Sequence, residues 1–362
     1  MSFPFLQPYF GLGNSLQTAQ SGGAGGGVVG GWVEVGRTTL GSSGQTINVS
    51  SIPDNQYLMV LHNYKLTGAS TGGFLRCGNS TIDTGSNYAR RKSVNGGAEA
   101  TAGSTTTLMD VGGSDATKEL AISYFENKAA SEKLHMNLYS YGLDGKTNAP
   151  KRATTVSKWA NTSNVIDTLE ATQGGSDNFS SGDEMVVLGW DPSSTHSTNF
   201  WEELESLDIS STGDDFDSTT FETKKYLWVQ YSVSGTSSLR TRLFLGTGGT
   251  IDTGSNYAFR RSKNHEADST FTAGGYGIVN ADGSPNSTQE YVNCFIVNDS
   301  AHEKMSVWQE IRDNTAGAGN VPGTSEGVGK WANTSGQINI VSLRNDGGGD
   351  ITSGHLRVWG SD

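Results

Sequence analysis

The chain has 362 residues, of which 49 are glycine and 7 are proline, and 34% are hydrophobic. Its formal net charge of −12 argues against nonspecific binding to nucleic acid and against adhesion to anionic membrane surfaces. No apolar run approaches the ~18 residues of a membrane-spanning helix, so we expect no transmembrane segment. Abundant glycine with little proline is typical of many short strands joined by tight turns.

The first 31 residues differ from the rest of the chain. Pro4 and Pro8 prevent a helix there, and residues 21–31 read SGGAGGGVVGG, which is typical of a flexible tether. No basic segment precedes the apolar residues, so no secretion signal is expected. We predict an extended N-terminal arm, residues 1–31, that docks into a neighbouring protein; the alternative is an arm that folds back onto its own domain. The docking side chains would be Phe3, Phe5, Leu6, Tyr9, Phe10 and Leu12.

Residues 32–191 are predicted to form one folded unit. Short apolar or alternating runs such as Trp32–Leu40, Tyr57–Tyr64, Lys133–Tyr141 and Lys158–Ala160 indicate strands, and almost no stretch has a helical period. The unit amounts to about eight short antiparallel strands, which favours a β-sandwich of the jelly-roll type.

An internal repeat defines the organisation of the chain. The nine residues TIDTGSNYA at Thr81–Ala89 return unchanged at Thr250–Ala258, and KWANTS at Lys158–Ser163 returns at Lys330–Ser335. Such self-similarity predicts one domain present twice. The fold class is therefore all-β, with two tandem homologous antiparallel β-sandwich domains at 32–191 and 201–362, joined by a linker at 192–200.

The repeated motif contains Asp-Thr-Gly-Ser, the tetrapeptide of pepsin-like proteases, at Asp83 and Asp252. That chemistry needs two carboxyl groups that share a proton. An apolar strand leads into the aspartate of such enzymes, whereas Gly78–Ile82 contains a single apolar residue. We therefore expect a turn and no enzymatic activity, with the protease as a remote alternative. The motif residues expected to be structural are Asp83, Gly85, Asn87, Tyr88, Trp159, Asp252, Gly254, Asn256, Tyr257 and Trp331.

Other polar groups carry weaker signals. The basic residues Arg90, Arg91, Arg260 and Arg261 are expected to form ion pairs within the sheet or between subunits, with an anion or acidic glycan as the alternative. A calcium ion at Asp214, Asp215 and Asp217 is an alternative to a solvated turn. Cys77 and Cys294 lie at non-equivalent places in the two units, so we expect two buried free thiols. No metal or cofactor is expected.

Several motifs together resemble a known group of proteins. The segments Gly36–Leu40, Gly85–Arg90, Lys158–Ser163 and Pro4–Leu12 are similar to those of uncharacterised virion structural proteins of marine viruses of prokaryotes. The resemblance covers essentially the whole chain. It implies a component of the particle surface, such as a capsid decoration, spike or tail fibre, that binds other virion proteins through its arm.

We also expect a homo-oligomer, with a trimer favoured by analogy with other viral sandwiches, and contact with a host glycan if the part is a receptor-binding spike. The second unit departs from the pattern, because Trp201 leads into Glu202 and Phe259 replaces an arginine. The two units are therefore expected to have different neighbours. A carbohydrate-binding module protein is the alternative function, since tandem sandwiches with exposed aromatic residues are common in glycan binders.

Overall fold

The computed structural model describes residues 28–29, 31–68, 73–110, 118–191, 195–196, 198–281, 288–313 and 318–362. Within these ranges every regular element is a β-strand and every strand pair is antiparallel, which confirms the predicted fold class. The same ranges contain no helix suited to crossing a bilayer. The predicted arm residues Phe3, Phe5, Leu6, Tyr9, Phe10 and Leu12 lie outside the described residues.

The first repeat forms two sheets. The larger has eight strands in the order β2-β14-β4-β10-β11-β12-β7-β8, and the smaller has the order β3-β13-β5-β6 with β9 added to β5. Ahead of them, β1 pairs with β15 of the segment between the repeats. The strands are β1 Val28–Val29, β2 Val33–Thr39, β3 Thr46–Ser50, β4 Tyr57–Lys65, β5 Gly73–Asn79, β6 Thr81–Ile82, β7 Tyr88–Val94, β8 Ala100–Thr105, β9 Met109–Asp110, β10 Lys118–Glu126, β11 Lys133–Tyr141, β12 Lys151–Trp159, β13 Thr168–Gln173 and β14 Glu184–Trp190.

The second repeat has the same topology. Its larger sheet has the order β16-β28-β18-β24-β25-β26-β21-β22, and its smaller sheet has the order β17-β27-β19-β20 with β23 added to β19. Each strand therefore has one counterpart in the first repeat. After β15 Thr195–His196 of the segment between the repeats, the strands are β16 Glu202–Ile209, β17 Asp215–Asp217, β18 Tyr226–Gly235, β19 Thr241–Thr247, β20 Thr250–Ile251, β21 Tyr257–Lys263, β22 Ser269–Gly274, β23 Val279–Asn280, β24 Gln289–Val297, β25 Lys304–Arg312, β26 Gly323–Trp331, β27 Ile340–Asn345 and β28 Ile351–Ser361.

Each repeat buries its own core between its two sheets. In the first repeat Leu58 and Val60 of the larger sheet meet Leu75 and Leu169 of the smaller one. In the second repeat Leu227 and Val229 meet Leu243 in the same way. Both free cysteines, Cys77 and Cys294, are buried in these cores. Each pair of sheets therefore forms a β-sandwich.

A third apolar cluster lies between the two larger sheets. Successive residues of a strand point to opposite faces, so the strands in these sheets are apolar on both sides. The larger sheets pack against each other, and the four sheets stack in the order small, large, large, small. The buried members of this cluster are Met59, Leu61, Leu120, Ile122, Val186, Leu188, Phe200, Trp201, Tyr226, Trp228, Phe295, Val297, Met305, Val307, Val328 and Trp359.

The structure corrects the predicted strand count. Each repeat contains more strands than the eight expected. The prediction missed the edge strands β8 and β22 and the short strands β6 and β9. The strand predicted at Lys158–Ala160 is the end of β12, which begins at Lys151. β8 has the sequence ATAGST. It has no large apolar residue, because an edge strand needs little core contact.

Candidate functional site: the duplicated motif and the contact between the repeats

In the first repeat the two copied sequence motifs contact each other. The carboxylate of Asp83 accepts hydrogen bonds from the Gly85 amide at 2.8 Å, from Asn87 Nδ2 at 2.9 Å and from Trp159 Nε1 at 2.8 Å. The amide of Ala160 donates to the Asn87 carbonyl at 2.9 Å. The turn after β6 is thus tied to the end of β12. We call Asp83, Asn87 and Trp159, with their counterparts in the second repeat, the latch.

Tyr88 joins the latch to the smaller sheet. Its hydroxyl lies 2.7 Å from the Cys77 carbonyl oxygen and 2.8 Å from the Asp83 carbonyl oxygen. The Cys77 amide donates back to the same hydroxyl at 3.3 Å. The Tyr88 ring is buried and pairs across the strands with Trp159. The motif therefore bridges the two sheets of the sandwich.

The second repeat contains the same latch. Asp252 accepts from the Gly254 amide, Asn256 Nδ2 and Trp331 Nε1, each at 2.8 Å. The Tyr257 hydroxyl lies 2.7 Å from the Asp252 carbonyl oxygen. The same residues recur in both repeats because each of them makes the same hydrogen bond within its own repeat.

The carboxylates of the latch differ from an aspartic protease pair, in which one carboxyl group keeps a proton. Burial acts to raise the pKa of Asp83, but hydrogen bonds from Trp159, Asn87 and Gly85 outweigh it and hold this pKa below its usual value. Asp252 receives its hydrogen bonds from its own repeat, and neither carboxylate contacts the other in these hydrogen bonds. This arrangement suits an ionised carboxylate that fixes a turn.

A buried lysine in each repeat ties the KWANTS turn to β11 or β25. Lys133 Nζ donates to the carbonyls of Ser131 at 2.6 Å and Asn161 at 3.0 Å. Lys304 Nζ donates to the carbonyls of His302 and Asn333, both at 2.9 Å. Sequence reasoning did not single out these lysines, although the repeated Glu-Lys pair at their positions was a usable signal.

A buried ion pair joins the two repeats. Arg152 of β12 donates to Asp268 Oδ1 at 2.7 Å and also pairs with Glu326. Arg152 and Asp268 are both almost fully buried. A charge removed from water needs such partners, and here both carboxylates come from the second repeat.

A second polar contact lies at the other side of the interface. Glu184 accepts a hydrogen bond from the Tyr226 hydroxyl at 2.5 Å and pairs with Lys225 at 3.0 Å. Burial acts to raise the pKa of Glu184, but the hydrogen bond from Tyr226 and the charge of Lys225 outweigh it, so this pKa lies below its usual value. The carboxylate is therefore ionised and links β14 to β18.

The loop between β11 and β12 of the first repeat lies against the latch region of the second. The Gly145 amide donates to Glu303 Oε1 at 2.7 Å, and Lys330 Nζ donates to the Leu143 carbonyl. Glu303 and Lys330 also form an ion pair at 3.4 Å. Most of these contacts involve main-chain atoms of the loop.

Three further groups of the second repeat complete this contact. The Ala273 amide donates to the Lys146 carbonyl at 2.7 Å, and Arg260 Nε donates to the Pro150 carbonyl at 2.9 Å. Lys146 Nζ donates to Asn256 Oδ1 at 3.3 Å. We call Asn256, Arg260, Ala273, Glu303 and Lys330 the repeat 2 socket.

The remaining candidate arginines have partners within their own repeats. Arg90 donates to Thr107, and Arg91 forms an ion pair with Glu99. Arg261 donates to the Asn280 carbonyl at 2.6 Å and lies over the Phe259 and Phe271 rings. Arg260 instead reaches the other repeat, through its hydrogen bond to the Pro150 carbonyl.

The aspartates considered for calcium lie at or beside β17. Asp214 accepts from Asn345 Nδ2 at 3.1 Å, and Asp215 pairs with Arg344 at 3.3 Å. Asp217 is exposed in the same strand. Across the described ranges no group of three or more His, Cys, Asp or Glu residues is placed to hold a metal ion.

Comparisons with known proteins give limited information. No protein-family model matches the chain, and no curated protein matches it. Among solved structures, domains LG4–5 of the mouse laminin α1 chain are similar at a TM-score of 0.19 and 12% identity, covering 91% of this chain and 89% of that one. The LG1–3 region of the laminin α2 chain is similar at 0.23 and 9%, covering 87% of this chain and 64% of that one. These likenesses are too weak to inform its function.

Proposed function

We propose that this chain is a structural protein of a virus particle, a capsid-decorating, spike or tail-fibre component at the particle surface. The motif resemblance at Gly36–Leu40, Gly85–Arg90 and Lys158–Ser163 supports a place in a virus particle. The hydrogen bonds and ion pairs made by the polar side chains support a structural role. The latch, the buried lysines and the ion pairs between the repeats all hold strands together.

One observation carries the choice of a structural role over carbohydrate binding. A glycan-binding module usually presents two or three solvent-facing aromatic rings. In the described part of this chain every Trp, Tyr and Phe is buried or half-buried; the exposed large hydrophobic residues are Leu134, Leu143, Val156 and Val321. The tryptophans Trp201, Trp228 and Trp359 instead lie between the two larger sheets. Aromatic rings that pack between the sheets favour a structural role over glycan binding.

The virion role is tested on purified particles. Antibodies to residues 32–362, visualised by electron microscopy, should label the particle surface at a repeating position. Labelling at the capsid, at a spike or at the tail would choose among the three components. Absence of the protein from particles that are otherwise complete would contradict the proposal.

The anchoring role of the arm is tested separately. Deleting residues 1–31 should leave a soluble protein of nearly unchanged thermal stability that no longer joins the particle. The matched control replaces Phe3, Phe5, Tyr9 and Phe10 by serine and keeps the glycine-rich tether. If the truncated protein unfolds or loses several kcal/mol, the arm belongs to the core and docking through it is wrong.

Two assays address the other functions. A glycan array on which the full chain shows no binding would favour a pure scaffold. For the protease alternative, acid proteolysis is measured with and without a transition-state analogue in the wild type and in Asp83→Asn and Asp252→Asn. Inhibitable activity that disappears in both variants would overturn the structural assignment.

A further inference from the structure

The larger sheet of the first repeat has an apolar surface on the face that points away from its own core. Leu134, Met136 and Leu138 share this face of β11, and Val156 of β12 lies opposite Met136. Leu134 and Val156 are 52% and 51% exposed, and Met136 and Leu138 are half-buried. These four side chains therefore offer a continuous apolar surface to solvent. We call Leu134, Met136, Leu138 and Val156 the apolar strip.

The equivalent surface of the second repeat is covered. By strand register, three residues of the second repeat occupy positions of the apolar strip, namely Met305, Val307 and Val328. All three are buried in the apolar cluster between the larger sheets, where β10 and β11 of the first repeat lie against β25. The same strand positions are thus apolar in both repeats, buried in the second and open to solvent in the first.

The apolar strip continues a contact that already exists in the chain. Leu138 packs against the apolar cluster between the repeats, so one end of the strip joins that interface. At the other end Leu134 lies opposite Lys158, which forms a half-exposed ion pair with Glu132 at 2.7 Å. An apolar centre with a charged rim is the usual composition of a surface that binds another protein segment. The partner of this strip should therefore be apolar and uncharged.

The N-terminal arm is the segment of this chain whose composition suits the apolar strip. Residues 1–31 contain no Asp, Glu, Lys, Arg or His, so the arm is not repelled by a chain with a formal net charge of −12. Pro4 and Pro8 limit the conformations open to the free segment, which lowers the entropy lost on binding. Its large apolar side chains are Phe3, Phe5, Leu6, Tyr9, Phe10 and Leu12.

The length of the arm decides which copy it reaches. The Trp32 ring lies 6.3 Å from the Trp190 ring, measured between centroids, so the arm joins the domain at the end of β14. Strand register places Trp190 and Leu134 in one row of the sheet, three strands apart, which is about 14 Å. Residues 13–27 can span about 50 Å when fully extended. That reach is much longer than the strip of the same copy needs, and it suffices for a neighbouring copy.

We propose that the apolar strip binds the N-terminal arm of a second copy of this chain, through the large apolar side chains within residues 3–12. The proposal rests on the docking role proposed for the arm and names its partner as another copy. Each copy provides one arm and one strip, so the exchange can close within a dimer or a trimer. Reciprocal exchange joins two copies through two contacts at once, which strengthens association beyond that of a single arm.

The first test is sedimentation velocity of the purified full-length chain over a wide concentration range. The wild type should form dimers or trimers as its concentration rises. Combining Leu134→Asp with Val156→Asp, or Phe5→Ser with Phe10→Ser, should raise the dissociation constant at least about tenfold. Leu143→Asp is the matched control, because it places the same charge at an apolar residue that is 51% exposed and lies off the strip. If the combined strip variant is less stable to heat, Val156→Asp alone replaces it.

Disulfide trapping tests the contact directly. Phe10→Cys and Val156→Cys are made in separate full-length chains, which are mixed under mild oxidation. A disulfide-linked heterodimer should appear on a non-reducing gel, since the native thiols of Cys77 and Cys294 are buried. The matched control pairs Phe10→Cys with Arg240→Cys, an exposed position of the second repeat, and should give far less heterodimer.

A chain that carries both Phe10→Cys and Val156→Cys separates exchange between copies from binding within one copy. It should form disulfide-linked dimers or trimers. A monomer closed by an internal disulfide would show that the strip binds the arm of its own copy, and this would overturn the proposal.

Three further outcomes would overturn it: a wild type that stays monomeric, association that survives both combined variants, or no trapped heterodimer. None of them bears on the virion role, which particle labelling tests. Conversely, absence of the chain from particles would leave the exchange of arms in solution intact.

Discussion

In the second repeat Lys330 and Glu303 are covered by a loop of the first, whereas Lys158 and Glu132 face solvent in the first repeat. The hydrogen bonds within each latch are nevertheless the same. The internal network of the sandwich therefore does not depend on what covers it. The identical latch residues make contacts that each repeat makes with itself, whereas the identical lysine–glutamate pairs have different surroundings in the two repeats.

The two repeats also differ in a buried polar contact on their larger sheets. In the first repeat Tyr139 donates to the buried carboxylate of Glu119. At the same register the second repeat has Glu310 and Glu290, and Glu310 pairs with Arg312 at 2.7 Å. Burial and the nearby charge of Glu310 raise the pKa of Glu290. The same strand positions thus support either a tyrosine–glutamate hydrogen bond or a pair of glutamates with an arginine beside it.

The largest expected effect comes from separating the repeats. Trp228 is buried between the larger sheets and stacks on Phe295 with ring centroids 5.5 Å apart. Trp228→Ala should cost about 3–5 kcal/mol, because it removes apolar contact and leaves a cavity. Differential scanning calorimetry should then resolve two transitions where the wild type has one. A single unchanged transition would mean that the interface contributes little to stability.

The next largest effect on stability is expected from the equivalent lysines Lys330 and Lys158. Lys330→Met leaves Glu303 buried without its ion-pair partner and should cost about 3 kcal/mol. Lys158→Met removes an exposed pair of the same residue types and should cost about 0–1 kcal/mol. Urea denaturation of both variants measures the difference. Equal losses would contradict the interpretation that burial by the β11–β12 loop distinguishes the two lysine–glutamate pairs.

Part of this architecture was predictable from sequence. Asp83, Asn87 and Trp159 recur because a carboxylate, an amide and an indole N–H must occupy fixed places to complete the latch. The repeat therefore located the most constrained hydrogen bonds. The all-β class followed from short runs with alternating or apolar residues, such as Lys133–Tyr141, which is a strand with those bounds.

The packing of the repeats was not predicted. Tyr57–Tyr64 is apolar on nearly every residue, and such a run indicates a strand buried on both faces. The run itself does not say which surface covers the outer face, since that depends on a partner far away in the chain. Leu134 and Met305 illustrate this, because both are apolar residues at the same strand position and only Met305 is buried. The edge strand β8 has no apolar pattern to detect.

A third prediction tests the equality of the two latches. Trp159→Phe and Trp331→Phe each remove one N–H donor from a carboxylate and should each cost about 1.5–3 kcal/mol. The pKa of Asp83 should rise in Trp159→Phe, because a hydrogen bond that holds it low is lost. Thermal unfolding and an NMR titration of Asp83 measure these effects. A loss confined to one repeat would show that the latches are not equivalent.

The fourth effect concerns pH and falls on the first repeat. Burial lowers the pKa of His62 to about 3, and burial together with the charge of His62 lowers that of His135 to about 3. The second repeat has Tyr231 at the register of His62. A histidine in the unfolded chain takes up a proton near pH 6.5. The unfolded state therefore binds more protons at acid pH, and the stability due to each buried neutral histidine is lost as the pH falls below about 6.5.

Lowering the pH from 7 to 5 should therefore cost about 2 kcal/mol for His62, and the variant His62→Gln should not show this loss. Asp183 acts in the opposite direction: burial raises its pKa to about 6, so its contribution is present at low pH and is lost as the pH rises through that value. The total pH dependence is thus a sum of opposing terms, and the difference between wild type and His62→Gln isolates the histidine. Urea denaturation of both proteins at several pH values measures that difference. If it stayed constant with pH, His62 would titrate alike in the folded and unfolded chain, and its burial in the first repeat would have to be weaker than the structure indicates.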